Sequence, residues 1–158
     1  MDEQQKDVRR LLMRFEIEQS ESEYQRMEKQ LVKKFGSPAS LDDVVWAIVN
    51  ERLLEAMKRK DWSLMQRLYQ EMARFLYEQG KDFFQQLQEA VRCKLLQYKS
   101  GGSFEKVEIL PELDSECCEK CKALAKKQLT IEEALQTMPI PVQDCGSRWC
   151  RCTYLPVT

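Results

Sequence analysis

Six of the seven cysteines fall between Cys117 and Cys152, in two groups that read CCEKC and CGSRWCRC. Thiolate sulfur is a preferred ligand of Zn²⁺, which binds four ligands in a tetrahedron at about 2.3 Å for sulfur. A C-x-x-C turn presents two thiolates to one ion, and Cys118 and Cys121 have this spacing. The two groups therefore predict one structural zinc site, formed by turns from separate parts of the chain.

The second cysteine group must supply the other two ligands. Cys145 and Cys150 are separated by four residues, and Gly146 eases the turn between them. Cys150 and Cys152 are two positions apart, so their side chains point the same way in an extended chain. The predicted ligands are Cys118, Cys121, Cys145 and Cys150. Cys152 is the alternative to Cys150 as the fourth ligand.

The absence of histidine narrows the chemistry. It removes a common zinc ligand and the commonest general base, so the site must rest on thiolates or, less favourably, a carboxylate.

The N-terminal MDEQQKDVRR has no apolar signal-peptide core behind it, which predicts a cytoplasmic protein with reduced thiols. In a secreted protein the same cysteines would form disulfides. A redox C-x-x-C is not favoured, because a thioredoxin-like βαβ context is missing.

The composition is typical of a soluble globular protein. The 158 residues are 43% hydrophobic and 32% charged, which supplies enough apolar material for a core. Lys and Arg number 25 against 26 Asp and Glu, so the charge does not indicate nucleic acid or an anionic membrane as a partner. No apolar run approaches the ~20 residues of a membrane-spanning helix.

Apolar residues recur every three or four positions through the first two thirds of the chain, which predicts helices. The polar segment 16–23 either divides the first helix or leaves its first half loosely packed. Gly36 before Ser37-Pro38 is a strong stop signal, and Ser40 with Asp43 forms a capping box. The predicted helices cover residues 3–34, 40–60, 61–80 and 82–101.

The last third has a different pattern. Residues 104–110 alternate in polarity as a half-buried strand does, and 151–157 is a candidate partner strand. A short helix is expected from the first cysteine group to about Lys127, and a second one behind the Thr130–Glu133 capping box. The prediction is a mainly α fold: an antiparallel helical bundle over 1–100 and a cysteine-rich, zinc-knuckle-like α+β subdomain over 101–158.

The chain from residue 114 onward carries D-x-x-C-C-x-x-C, T-I-E-E-A-L, P-I-P and C-R-C-T-Y-L-P-V in this order. This pattern resembles the C-terminal cysteine motif of Mu F-like minor head (head morphogenesis) proteins of tailed phages, which ends in H-P-x-C-R-C. The family's histidine is absent, and Cys145 is the candidate to replace it. The resemblance implies a structural metal knot in a phage- or prophage-related protein. The matching positions are Cys118, Cys121, Pro139, Pro141, Cys150, Arg151 and Cys152.

Three classes of function fit these residues. The favoured one is a non-catalytic interaction or assembly protein with structural Zn²⁺, which binds a protein partner or itself, because no nucleophile–base pair is evident. The second is a nucleic-acid-binding zinc-knuckle module that stacks bases on Trp149. Its candidate contacts are Lys58, Arg59, Lys60, Lys126, Lys127, Arg148 and Arg151. The third is a thiol-based redox protein, which would use Cys150 or Cys152, because Arg148 and Arg151 beside them would lower a thiol pKa.

Overall fold

The computed structural model describes residues 3–146 and 148–158, and within these ranges it has seven helices and three short strands. The chain divides into two compact units, Met1–Asp61 and Trp62–Thr158. A mainly α fold with a small β appendage near the C-terminus is thereby confirmed. Among the described helices, none is long and apolar enough to cross a membrane.

The first unit contains three helices: α1 (Glu3–Arg14), α2 (Ser20–Phe35) and α3 (Leu41–Arg59). The polar segment after α1 divides the predicted long helix, because Glu16 adopts a φ of 59° and the N–H of Ile17 donates to the Leu12 carbonyl. Helix α2 ends at the left-handed Gly36, and α3 begins behind the Ser40 capping box, as predicted. The buried apolar residues of this unit include Leu12, Phe15, Tyr24, Met27, Val44, Val45, Ile48 and Val49.

The second unit contains seven elements: α4 (Trp62–Glu78), α5 (Phe84–Gly101), β1 (Lys106–Leu110), α6 (Glu119–Ala123), β2 (Gln128–Thr130), α7 (Ile131–Thr137) and β3 (Thr153–Val157). Helices α4 and α5 pack against each other across a turn at Gly80, which has a φ of 67°. Helix α5 also packs against α7 and β3. The predicted boundary after residue 100 therefore falls inside this unit.

A three-stranded antiparallel sheet in the order β2-β1-β3 joins the two cysteine-bearing parts of the chain. In β1, Val107 and Ile109 are fully buried, and Ile109 is paired with Tyr154 of β3. The predicted pairing of β1 with the C-terminal strand is thus observed. Strand β2 was not predicted, and α6 ends at Ala123 instead of continuing to about Lys127.

Candidate metal centre

Three segments of the second unit bring cysteines together. Cys118 is the N-cap of α6, and Cys121 lies within that helix. Cys145 lies in the turn that follows α7, and Cys150 and Cys152 lie just before β3. Because β3 pairs with β1 in an antiparallel ladder, the sheet fixes the second cysteine group beside the first.

The sulfur atoms form two groups of three that share Cys121. In the first group are Cys118, Cys121 and Cys145, and in the second Cys121, Cys150 and Cys152, with all sulfurs of a group within 4.8 Å of one another. Cys145 Sγ lies 3.7 Å from both Cys118 Sγ and Cys121 Sγ. Cys121 Sγ lies 3.9 Å from Cys150 Sγ. All four predicted ligands and the alternative, Cys152, are therefore in one cluster.

These spacings fit a metal–thiolate centre. A tetrahedron of sulfurs at 2.3 Å from zinc has edges of about 3.8 Å, which is close to the distances of 3.7, 3.7 and 3.9 Å that join Cys118 to Cys145, Cys145 to Cys121 and Cys121 to Cys150. A disulfide would need about 2.05 Å, and all seven cysteines are free. A hollow of about 10 Å³, enough for one water-sized particle, is lined by Cys117, Cys118, Cys121, Cys145 and Cys152, together with Glu112 and Arg151.

Backbone N–H groups stabilise Cys118 as a thiolate. The N–H of Cys121 donates to Cys118 Sγ at 3.4 Å, as an N-cap side chain of a helix normally accepts. This bond and a second one from the Gly146 N–H lower the pKa of Cys118 to about 7. Metal ligation requires the thiolate, so Cys118 is prepared to bind a cation near neutral pH.

The second cysteine group also contains a thiol with a lowered pKa, that of Cys150. A hydrogen bond from the Cys152 thiol, with further bonds from the backbone of Val142 and Cys152, lowers the pKa of Cys150, although its burial opposes this. The same thiol–thiol bond, together with burial, raises the pKa of Cys152. Burial also raises the pKa of Cys121, the most central thiol. A bound metal ion would displace the thiol protons that lie between these sulfurs, and its positive charge would stabilise the thiolates.

Gly146 lets the two cysteine turns approach closely. A Cβ atom at this position would lie 3.2 Å from the Cβ of Cys118. That distance is shorter than ordinary van der Waals contact, and both atoms are anchored directly to backbone. Replacing Gly146 would therefore push the Cys145 turn away from Cys118.

We expect Gly146→Ala to weaken metal binding by roughly tenfold. This is the smallest loss of metal affinity that is typical when a residue that orients metal ligands is changed. Competition with a chromogenic chelator measures this affinity. Gly101→Ala is the matched control, because a Cβ there meets nothing within 4 Å, and its affinity should equal that of the native protein. Equal affinities for both variants would contradict the close approach.

The remaining cysteines differ from the cluster. Cys117 is half-buried beside the hollow and belongs to neither group of three. Cys93 is buried on α5, where burial raises the pKa of its thiol to about 12. It behaves as a small hydrophobic side chain.

Arg151, between the two last cysteines, ties the segment before α6 to the segment before β3. Its guanidinium donates to both carboxylate oxygens of Asp114, at 2.7 and 2.6 Å, and to Glu112 at 2.8 Å. Glu116 lies 3.9 Å away. Bidentate pairs of this kind add geometric specificity. Sequence analysis missed this role, although the acidic run before Cys117 was its available signal.

The hydrogen bond from Arg151 lowers the pKa of Asp114 to about 2. Because the folded-state pKa lies below the ordinary value, the ionised carboxylate stabilises the fold above about pH 4, and this contribution is lost as pH falls towards 2. We expect Asp114→Asn to lower the urea midpoint at about pH 7 and to have little effect at about pH 2. An equal deficit at both pH values would contradict the ion pair; Glu116→Gln is the control and should change less.

Trp149 is fixed by an aromatic cluster. Its ring stacks on Phe83 with centroids 5.1 Å apart, and it meets Tyr77 edge-on at 5.8 Å. Tyr77 and Phe83 also make an edge contact at 5.3 Å. The cluster anchors the Cys150 segment to the turn between α4 and α5. The aromatic partners are far away in sequence, so sequence analysis did not find this contact.

The candidate nucleic-acid contacts have varied environments. Lys126 and Lys127 have exposed side chains at the turn into β2, where their backbones bond to Ile109. Arg148 is also exposed, whereas Arg151 is engaged by carboxylates. The basic run Lys58, Arg59 and Lys60 lies at the C-terminal end of α3, in the first unit.

Comparison with known proteins gives no family assignment. No protein-family model, curated protein or solved structure matches the chain.

Proposed function

We propose that this is a non-catalytic interaction or assembly protein whose second unit is held together by structural Zn²⁺. The observation that carries the proposal is that four cysteine sulfurs lie around that of Cys121, in two groups of three, with distances of 3.7 and 3.9 Å from Cys121 Sγ that are close to the edge of a zinc–thiolate tetrahedron. The ligands are Cys118, Cys121 and Cys145, with Cys150 or Cys152 in the fourth position.

Burial of the cluster supports a structural role. Cys121, Cys150 and Cys152 are part of the apolar core of the second unit, which also contains Ile109 and Tyr154. Four thiolates complete the tetrahedron of zinc, so no position is left for a substrate. The ion would cross-link α6, the Cys145 turn and the segment before β3, three parts that local chain propensity alone does not hold together.

The interaction role is the part of the proposal that rests on the resemblance to phage head-morphogenesis proteins. We propose a phage- or prophage-related protein that binds a protein partner or a second copy of itself. A nucleic-acid-binding role is less well supported, because Trp149 is packed against Phe83 and Arg151 is paired with Asp114. A redox role is likewise weaker, because Cys150 and Cys152 are buried.

The structural role is tested by removing the metal under reducing conditions. We expect the chelated protein to become sensitive to protease between residues 111 and 152, and added Zn²⁺ to restore resistance. The first unit provides the internal control, since its helices contain no cysteine. Loss of metal without any change in the cleavage pattern of the second unit would contradict the proposal.

A further inference from the structure

We propose that the cysteine cluster holds two thiophilic d10 cations, such as Zn²⁺ or Cd²⁺, bridged by Cys121 Sγ. This inference rests on the proposed metal–thiolate centre and extends it from one ion to two. A bridging thiolate binds two metals through separate lone pairs, so it must lie centrally among the other sulfurs.

The geometry places Cys121 in that central position. Each of the two groups of three sulfurs offers one face for a cation, and Cys121 is the member that both faces share. Its sulfur is 3.7 Å from Cys145 on one side and 3.9 Å from Cys150 on the other. Each group thus supplies three of the four ligands of a tetrahedral ion, and the two sets share Cys121.

A single tetrahedral ion would leave one of the five clustered cysteine sulfurs unused. It uses four thiolates, and the fifth thiol would remain buried in contact with a ligand. If Cys150 bound the ion, Cys152 would be the unused thiol. If Cys152 bound the ion, Cys150 would be the unused thiol. Two ions use all five sulfurs, including both Cys150, the predicted fourth ligand, and Cys152, its alternative.

Charge also favours two ions. Five thiolates carry five negative charges, and two divalent cations leave one of them, whereas one cation bound by four thiolates leaves two. In the first group, Cys118 Sγ accepts the backbone N–H of Cys121 at 3.4 Å, and such a bond supports a thiolate ligand.

The test loads the full chain with ¹¹³Cd²⁺ and counts the bound ions by native mass spectrometry. We expect two cadmium ions per chain, two ¹¹³Cd resonances, and coupling of the Cys121 β-protons to both. One ion per chain would overturn the bridged pair and leave the proposed structural site standing. No ion would overturn both proposals, and two ions without a shared Cys121 coupling would overturn the bridge.

Serine variants give an independent readout. Cys145→Ser removes a ligand of the first group alone and Cys152→Ser a ligand of the second alone, so each should retain one ion. Cys117→Ser is the control and should bind two, because Cys117 belongs to neither group. A Cys152→Ser variant with the same cadmium content as the native protein would contradict the second site, and the native-protein spectrum decides the question even if one variant does not fold.

Discussion

Cys121→Ser should remove all bound metal and unfold the second unit. Cys121 is in both sulfur groups, so no complete coordination shell remains whether the cluster binds one ion or two. Structural zinc contributes about 10–16 kcal/mol of apparent binding free energy in small zinc-dependent folds. This is comparable to the whole stability of a typical domain, about 5–15 kcal/mol, so the unit should not persist without it. Elemental analysis and near-ultraviolet circular dichroism measure the two losses.

Cys93→Ala is the matched control for that variant. Cys93 is also a buried cysteine of the second unit, but it lies on α5 outside the sulfur groups. We expect normal metal content and a stability loss of about 1–2 kcal/mol from the small cavity. Equal metal loss in both variants would contradict the assignment of Cys121 as a ligand. Folding of Cys121→Ser to the native dichroism spectrum would contradict the structural role of the ion.

Tyr154→Ala should cost about 3–5 kcal/mol in the free energy of unfolding, as for other large buried aromatic residues. Tyr154 is fully buried on β3, is paired with Ile109 and lies in the apolar core that includes the cysteines. The variant would leave a cavity where β3 meets the rest of that core. Urea unfolding of the metal-loaded protein, followed by circular dichroism, measures the loss.

Tyr154→Phe separates the ring from its hydroxyl. Within the described part of the chain this hydroxyl is buried without a hydrogen bond of acceptable geometry, although the backbone of Ile140 is near enough to influence its pKa. Removing a buried, unsatisfied polar group should leave stability unchanged or raise it by about 1 kcal/mol. A loss as large as that of Tyr154→Ala would show that the hydroxyl, and not the ring, stabilises the core.

The helices were predictable because their signals are local. Gly36 and the Ser40 capping box mark their own helix ends regardless of what packs against them. The early end of α6 and the presence of β2 were not predictable in this way. Lys126 adopts a left-handed conformation and donates its N–H to Ile109 of β1, so pairing with a distant strand overrides local helix propensity.

The candidate site was predictable as a cluster but not as a set of contacts. The spacing of Cys118 and Cys121 identifies a metal-binding turn, since that pair needs no tertiary information. That Cys150 and Cys152 both meet Cys121 depends on the register of β3, which is set by pairing with β1. The anchoring of Trp149 by Phe83 depends on the α4–α5 turn and has no local signal.

Metal content and thiol titration together distinguish a metal–thiolate centre from disulfides. Protein purified without added metal should contain at least one zinc per chain, and chelation under anaerobic conditions should make about four or more thiols newly reactive. Cys93 should remain slow in both states, because burial raises its pKa to about 12. Protein without metal, and with few thiols even after denaturation, would mean that the cysteines form disulfides and would contradict the metal–thiolate centre.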